Sequence, residues 1–118
     1  MHIYIVEDNS FYAELMSYDL LKNNHVVEIF DNAEDCINAL KIKIPDFIIL
    51  DFYLRDGVDG LAVLHALSSK DSANCKVIML SSSQSETVKH LAKKGGADYF
   101  MTKSIDSSHE ISRMINFS

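Results

Sequence analysis

Five short runs of apolar residues recur along the chain, separated by segments of mixed polarity that are long enough to hold a helix. Most of these runs are continuous rather than alternating, as expected of strands that are covered on both faces. The pattern predicts strands over residues 3–6, 26–30, 47–50, 77–80 and 99–101.

The segments between the strands carry apolar residues at helical spacing. In the first segment Phe11, Leu15 and Tyr18 fall on one helical face, and four later segments repeat the pattern. Polar pairs of capping-box form, such as Ser107 with Glu110, stand just ahead of several helical stretches. Five strands that alternate with five helices predict an α/β fold, a doubly wound parallel sheet with helices on both faces.

Length and charge narrow the classes of protein to consider. At 118 residues, with 47% apolar and 24% charged residues, the chain is expected to form one domain over residues 1–118. The net charge of −6 argues against nucleic acid as a partner. No apolar run approaches the roughly 20 residues that span a bilayer, and no signal peptide is evident, so we expect a cytoplasmic protein. Cys36 and Cys75 lack the spacing of a metal site and are expected to be semi-buried thiols.

Polar groups follow four of the five predicted strands. Glu7 and Asp8 follow the first, Asp51 the third, Ser81 the fourth and Lys103 the fifth. An acidic residue after a strand is usually a turn residue or a helix cap. Polar groups after four strands together are less readily explained by chance. In such sheets ligands bind beyond the carboxyl ends of the strands, which is where these groups are expected to lie.

The chemistry of these groups predicts a phosphoryl-transfer site. Clustered carboxylates repel one another unless a cation intervenes, and oxygen ligands without His or Cys suit Mg²⁺. In this layout Asp51 would be the nucleophile, Lys103 and Mg²⁺ would balance charge, and Ser81 would bond a phosphoryl oxygen.

Four motifs, taken in their order and spacing, resemble the receiver domain of two-component response regulators over essentially the whole chain. The motifs are VEDN at 6–9, ILD at 49–51 with GL at 60–61, VIMLSS at 77–82 and GADYFMTK at 96–103. The resemblance implies a flavodoxin-like (βα)₅ sandwich with strand order 2-1-3-4-5.

The resemblance also assigns roles to single residues. It makes Asp51 the phosphoacceptor, and it makes Glu7 and Asp8, with the backbone carbonyl of Tyr53, the Mg²⁺ ligands that complete the site around Asp51. It implies that Lys103 contacts the phosphoryl group.

Two residues would act as a switch in such a domain. The resemblance implies that Ser81 moves toward the phosphoryl group and that Phe100 occupies the aromatic switch position. For Phe100, the alternative is an ordinary core aromatic of an edge strand, because aromatic residues are packing residues first.

The family further implies the partners. These are a sensor histidine kinase or a histidine phosphotransfer protein, a downstream protein or fused output domain, and a second copy bound through the helix 4/strand 5/helix 5 face. The domain would assist its own phosphorylation and dephosphorylation without being a turnover enzyme. Because the sequence ends soon after the predicted fifth helix, we expect either a single-domain regulator or a receiver domain taken from a larger protein.

The sequence departs from the family at several positions. Ser104 stands where a cis-proline usually follows the lysine, so we expect a trans bond with a rearranged loop or a strained cis bond. Arg55 stands where proline is frequent, and Tyr53 and Ser83 occupy positions that tune dephosphorylation.

Three alternatives to this function stay open. One is a receiver-like docking module that is never phosphorylated. Another is a haloacid-dehalogenase-like phosphatase, although Tyr53 occupies the position of that family's general acid. The third, a small flavin-binding protein, lacks the expected phosphate loop after the first strand.

Overall fold

The computed structural model describes residues 1–54, 60–68, 74–82 and 85–118. Five strands and five helices alternate through these residues. They are β1 (His2–Val6), α1 (Ser10–Lys22), β2 (Val26–Phe30), α2 (Ala33–Leu40), β3 (Phe47–Asp51), α3 (Gly60–Ser68), β4 (Lys76–Ser81), α4 (Glu86–Gly95), β5 (Tyr99–Thr102) and α5 (Ile105–Asn116). The five predicted strands are confirmed to within one residue at each end. No helix of the described residues is both long and apolar enough to cross a membrane.

The strands form one parallel sheet in the order β2-β1-β3-β4-β5, which confirms the predicted topology. Because successive side chains of a strand point to opposite faces, the sheet divides the core in two. Ile3, Ile5 and Ile49 pack with α1 and α5 on one face. On the other face, Ile48 and Leu50 pack with α2, α3 and α4. The central strand β3 is buried over its whole length, and it ends at Asp51.

Helix α1 buries a different face from the one that its sequence suggests. Phe11 and Tyr18 are 71% and 64% exposed, whereas Tyr12, Met16 and Leu20 are buried against the sheet and α5. The helix has apolar residues on more than one side, so spacing alone does not decide which side meets the sheet. Tyr12 therefore lies in the interior and not on the surface of the helix.

The N-cap of helix α5 lies three residues before the predicted cap, Ser107. Its N-cap is Ser104, and Ser107 is the third residue of the first turn. The Ser107 N–H donates to Ser104 Oγ at 3.1 Å, and the Ser104 N–H donates to Ser107 Oγ at 2.9 Å. These two reciprocal bonds are a capping box in which serine takes the place of the usual glutamate.

Cys36 and Cys75 are free and buried. Burial raises the pKa of each thiol to about 12. Both thiols are therefore protonated at neutral pH, as expected of packing residues.

Candidate functional site

The carboxyl ends of the strands bring the predicted acidic residues together. Asp51 is the last residue of β3, and Glu7 and Asp8 follow β1, its neighbour in the sheet. One carboxylate oxygen from each of the three residues lies within 4.8 Å of the other two. Glu7 and Asp51 are buried, and Asp8 is half-buried. Residues far apart in sequence thus form one acidic cluster.

Lys103 places its ammonium against this cluster. Lys103 Nζ lies 2.5 Å from Glu7 Oε1 and 3.3 Å from Asp51 Oδ2. Its backbone is held by a hydrogen bond from the Lys103 N–H to the Ser81 carbonyl at 2.8 Å, which continues the pairing of β5 with β4. The strand ends therefore bring an ammonium and three carboxylates close together.

Burial and charge oppose each other at these groups. Burial raises the pKa values of Glu7 and Asp51, and the nearby ammonium only partly offsets it. Burial lowers the pKa of Lys103, but the Glu7 and Asp51 carboxylates outweigh that effect and raise it above its ordinary value. The lysine is therefore charged at neutral pH, and its charge is the main effect that opposes the burial of the two carboxylates.

Backbone groups orient the carboxylates. The Asn9 N–H donates to Glu7 Oε2 at 2.9 Å, and the Tyr53 N–H donates to Asp51 Oδ1 at 3.3 Å. A hydrogen bond connects the chain after Asp51 to the start of α3: the Gly60 N–H donates to the Phe52 carbonyl at 2.6 Å. The Tyr53 side chain is exposed beside this turn.

The donor set suits a hard divalent cation. Glu7 Oε1 is buried and makes no hydrogen bond of good angular geometry, although the Lys103 ammonium is close enough to pair with it. One carboxylate oxygen from each of Glu7, Asp8 and Asp51 lies close enough to the others for all three to bind a single cation. The residues present therefore fit a metal such as Mg²⁺.

The two predicted switch residues lie on neighbouring strands. Ser81 is fully buried at the end of β4, paired in register with Thr102 of β5. Phe100 is half-buried and packs against the core on the α4 side. Phe100 and Thr102 also line an open depression of about 310 Å³ with Glu86 and Lys89 of α4. The ring of Phe100 therefore adjoins both packed core and open space.

No peptide bond of the described residues is cis, which confirms the trans alternative at Ser104. The turn that follows is held by Tyr12, whose hydroxyl donates to the Ser104 carbonyl at 2.7 Å and lies 2.7 Å from Ser107 Oγ. Sequence reasoning misses Tyr12, because only the packing of α1 on α5 brings it to this turn. Arg55 and Ser83 lie outside the described residues.

Comparisons with known proteins agree with this architecture. The family model described as the response regulator receiver domain matches residues 3–116. The crystal structure of a phosphorylated cyanobacterial phytochrome response regulator, RcpA, is 25% identical, with a TM-score of 0.84 over 97% of this chain and 89% of that one.

Two further structures share the fold at lower identity. A CheY-like receiver domain protein from Methanospirillum hungatei is 20% identical, with a TM-score of 0.83 over 98% of this chain and 93% of that one. The Mn²⁺-bound form of response regulator Rcp1 is 21% identical, with a TM-score of 0.82 over 97% and 90% of the respective chains.

Proposed function

The chain belongs to the response regulator receiver domain family, and on that premise we propose that it is a phosphoacceptor switch in which Asp51 receives the phosphoryl group. Receiver domains are signalling domains that work with histidine kinases or phosphotransfer proteins and with output domains. The observation that carries the proposal is the position of Asp51, a buried carboxylate that lies within 4.8 Å of two others and 3.3 Å from an ammonium.

Asp51 is suited to in-line attack on phosphorus. One of its carboxylate oxygens forms the new O–P bond, and the P–N bond of the phosphohistidine donor breaks, with its electron pair leaving on the imidazole nitrogen. The product is an acyl phosphate, a known type of covalent intermediate. Lys103 Nζ, 3.3 Å from Asp51 Oδ2, is placed to balance the charge on the phosphoryl oxygens.

We assign the metal ligands to Glu7, Asp8 and Asp51, with the carbonyl of Tyr53 as the predicted backbone ligand. A bound Mg²⁺ would supply positive charge for the phosphoryl oxygens and relieve the repulsion between the carboxylates. Two proteins of similar fold agree with a metal-binding phosphoacceptor in general terms, since the Rcp1 structure is Mn²⁺-bound and the RcpA structure is phosphorylated.

The charge of the phosphoryl group would change the positions of residues on β4 and β5. Its oxygens offer new acceptors for the Ser81 hydroxyl and the Lys103 ammonium, so the ends of β4 and β5 would be drawn toward Asp51. Phe100 could then exchange its half-buried packing for a more buried position. The face of α4 and β5 would change its affinity for a downstream partner or a second copy, as a shift between two populations.

The proposal is tested by incubating the protein with Mg²⁺ and acetyl phosphate and measuring its intact mass. We expect a phosphate-sized gain in the wild type and none in Asp51→Asn. Asp31→Asn is a matched control, because Asp31 is exposed and follows β2 at the same edge of the sheet. A gain that persists in Asp51→Asn would refute the acceptor assignment.

The same experiment separates the alternative functions. Absence of modification in the wild type, together with absence of Mg²⁺ binding by calorimetry, would favour the docking module. Catalytic turnover of the donor with release of many equivalents of phosphate would favour a phosphatase. That alternative has no acid at position 53, where the exposed side chain is a tyrosine.

A further inference from the structure

Tyr12 touches the site from a helix that carries none of the expected functional residues. It lies in the first turn of α1, where its N–H donates to Asn9 Oδ1 at 3.0 Å. The Asn9 N–H in turn donates to Glu7 Oε2. The start of α1 is therefore tied to the acidic cluster by two consecutive hydrogen bonds, and Tyr12 is only 7% exposed.

The ring of Tyr12 borders the lysine ammonium. Lys103 Nζ lies over the ring at 5.1 Å from its centroid, within the range of a cation–π contact. The ammonium thus lies against the ring of Tyr12 as well as the carboxylates of Glu7 and Asp51. A lysine side chain has many rotamers, so a contact that removes some of them raises the population with Nζ at Asp51.

The hydroxyl of Tyr12 holds the turn that carries Lys103. It donates to the carbonyl of Ser104, the residue next to Lys103, and it lies 2.7 Å from Ser107 Oγ. Ser107 is also the partner of Ser104 in the α5 capping box. One buried side chain thus contacts the ammonium through its ring and the backbone of the following residue through its hydroxyl.

We propose that Tyr12 is a positioning residue for phosphoryl transfer, in which the ring holds Lys103 Nζ beside Asp51 and the hydroxyl anchors the trans Lys103–Ser104 turn. This inference rests on the proposed function. It concerns a residue that does not touch the phosphoryl group and acts through Lys103.

The two contacts predict different effects for two substitutions. Tyr12→Phe keeps the ring and removes the hydroxyl, whereas Tyr12→Leu removes both. We expect the rate of modification by acetyl phosphate in Mg²⁺ to fall by about tenfold in Tyr12→Leu, and by less than about threefold in Tyr12→Phe. A purely structural hydroxyl role would make the two variants equally slow.

Tyr18 offers a matched control on the same helix. Lys22 Nζ lies over the Tyr18 ring at 5.3 Å, a similar contact on the exposed side of α1. Tyr18→Leu should be modified at the wild-type rate. If Tyr18→Leu is slowed as much as Tyr12→Leu, the inference is wrong, because the effect is then not specific to the contact with Lys103.

A spectroscopic measurement tests the contact without any phosphoryl transfer. In protein with ¹³C-labelled lysine, the ε-methylene signal of Lys103, assigned with Lys103→Arg, should be shifted upfield by the ring of Tyr12. The shift should survive in Tyr12→Phe and vanish in Tyr12→Leu. An ordinary position of this signal in the wild type would overturn the inference even if Tyr12→Leu does not fold.

The outcomes distinguish the two proposals. A wild type that is not modified at Asp51 would refute the proposed function and, with it, the role of Tyr12 in transfer. A wild type that is modified, with Tyr12→Leu modified equally fast, would refute only the role of Tyr12.

Discussion

The Lys103 ammonium lies 2.5 Å from a carboxylate oxygen of Glu7, a side chain that is only 1% exposed. Charges buried to this degree are stabilised only if they are paired, because removing an ion from water is costly. Glu7 comes from the end of β1 and Lys103 from the end of β5, two strands with β3 and β4 between them. The ion pair therefore connects the carboxyl ends of β1 and β5 across the ends of β3 and β4.

Removing the ammonium should destabilise the fold in a pH-dependent way. Lys103→Met leaves Glu7 and Asp51 buried without their cation, and we expect a loss of about 2–4 kcal/mol at pH 7. Burial raises the pKa values of both carboxyls above their ordinary values. The folded variant is therefore most stable when both carboxyls are protonated, and it loses stability as the pH rises through their folded-state pKa values. The loss should therefore shrink near pH 4.

Urea unfolding of metal-free protein at the two pH values measures this effect. Lys89→Met is the control, because Lys89 is an exposed lysine of α4. A loss for Lys103→Met that is as large at pH 4 as at pH 7 would contradict the assignment of the effect to uncompensated carboxylates.

Mg²⁺ should stabilise the folded protein by binding to the acidic cluster. A ligand that binds only the folded state adds about 1.4 kcal/mol at ten times its dissociation constant. We expect a higher thermal midpoint in Mg²⁺ than in EDTA at matched ionic strength, and a smaller increase in Asp8→Asn, which removes one of the three carboxylates. Asp31→Asn should keep the full increase. An equal increase in all three proteins would place the cation elsewhere.

The strands were predictable because each central strand is covered on both faces, whereas their order was predicted only from the resemblance to receiver domains. The continuous apolar run 47–50 is buried over its whole length, and its bounds agree with those of β3 to one residue. The acidic cluster was predictable for the same reason, since parallel strands end at a common edge. Local pattern and tertiary position coincide in these elements.

The contacts of α1 and α5 were not predictable from local pattern. Helix α1 offers apolar residues on two sides, and only its packing on the sheet and α5 selects Tyr12 over Phe11. The sequence signature predicts Ser107 as the N-cap of α5. In the structure the N-cap is Ser104, and Ser107 is the third residue of the helix. The buried face of α1 depends on residues that are distant in the chain, and the α5 cap departs from the usual signature because a serine replaces the glutamate.

Ser104 should tolerate neither alanine nor proline well. Ser104→Ala removes the Oγ that accepts from the Ser107 N–H, and loss of an N-cap costs about 1 kcal/mol. Ser104→Pro also removes the N–H that donates to Ser107 Oγ. We therefore expect proline, the usual residue here in the family, to be the more destabilising change in chemical denaturation. A proline variant as stable as the wild type would show that the turn can rearrange without its capping box.

Among the glycines that the structure describes, Gly60 should be the least able to accept a side chain, because α3 begins directly against β3. A Cβ at Gly60 would lie 2.7 Å from the Asp51 carbonyl oxygen, which is backbone and cannot rotate away. Gly60→Ala must move α3 or the end of β3, so we expect a loss of about 1–3 kcal/mol and slower modification of Asp51.

Gly95→Ala is the matched control for this prediction. Its Cβ would meet the Leu64 Cδ1 atom at 3.0 Å, the far end of a flexible side chain, while alanine improves the helix propensity of α4. Urea unfolding should therefore show little change for Gly95→Ala and a clear loss for Gly60→Ala. Equal losses in the two variants would contradict the prediction. They would mean that the Asp51 carbonyl oxygen is no greater obstacle to a Cβ at position 60 than the flexible Leu64 side chain is at position 95.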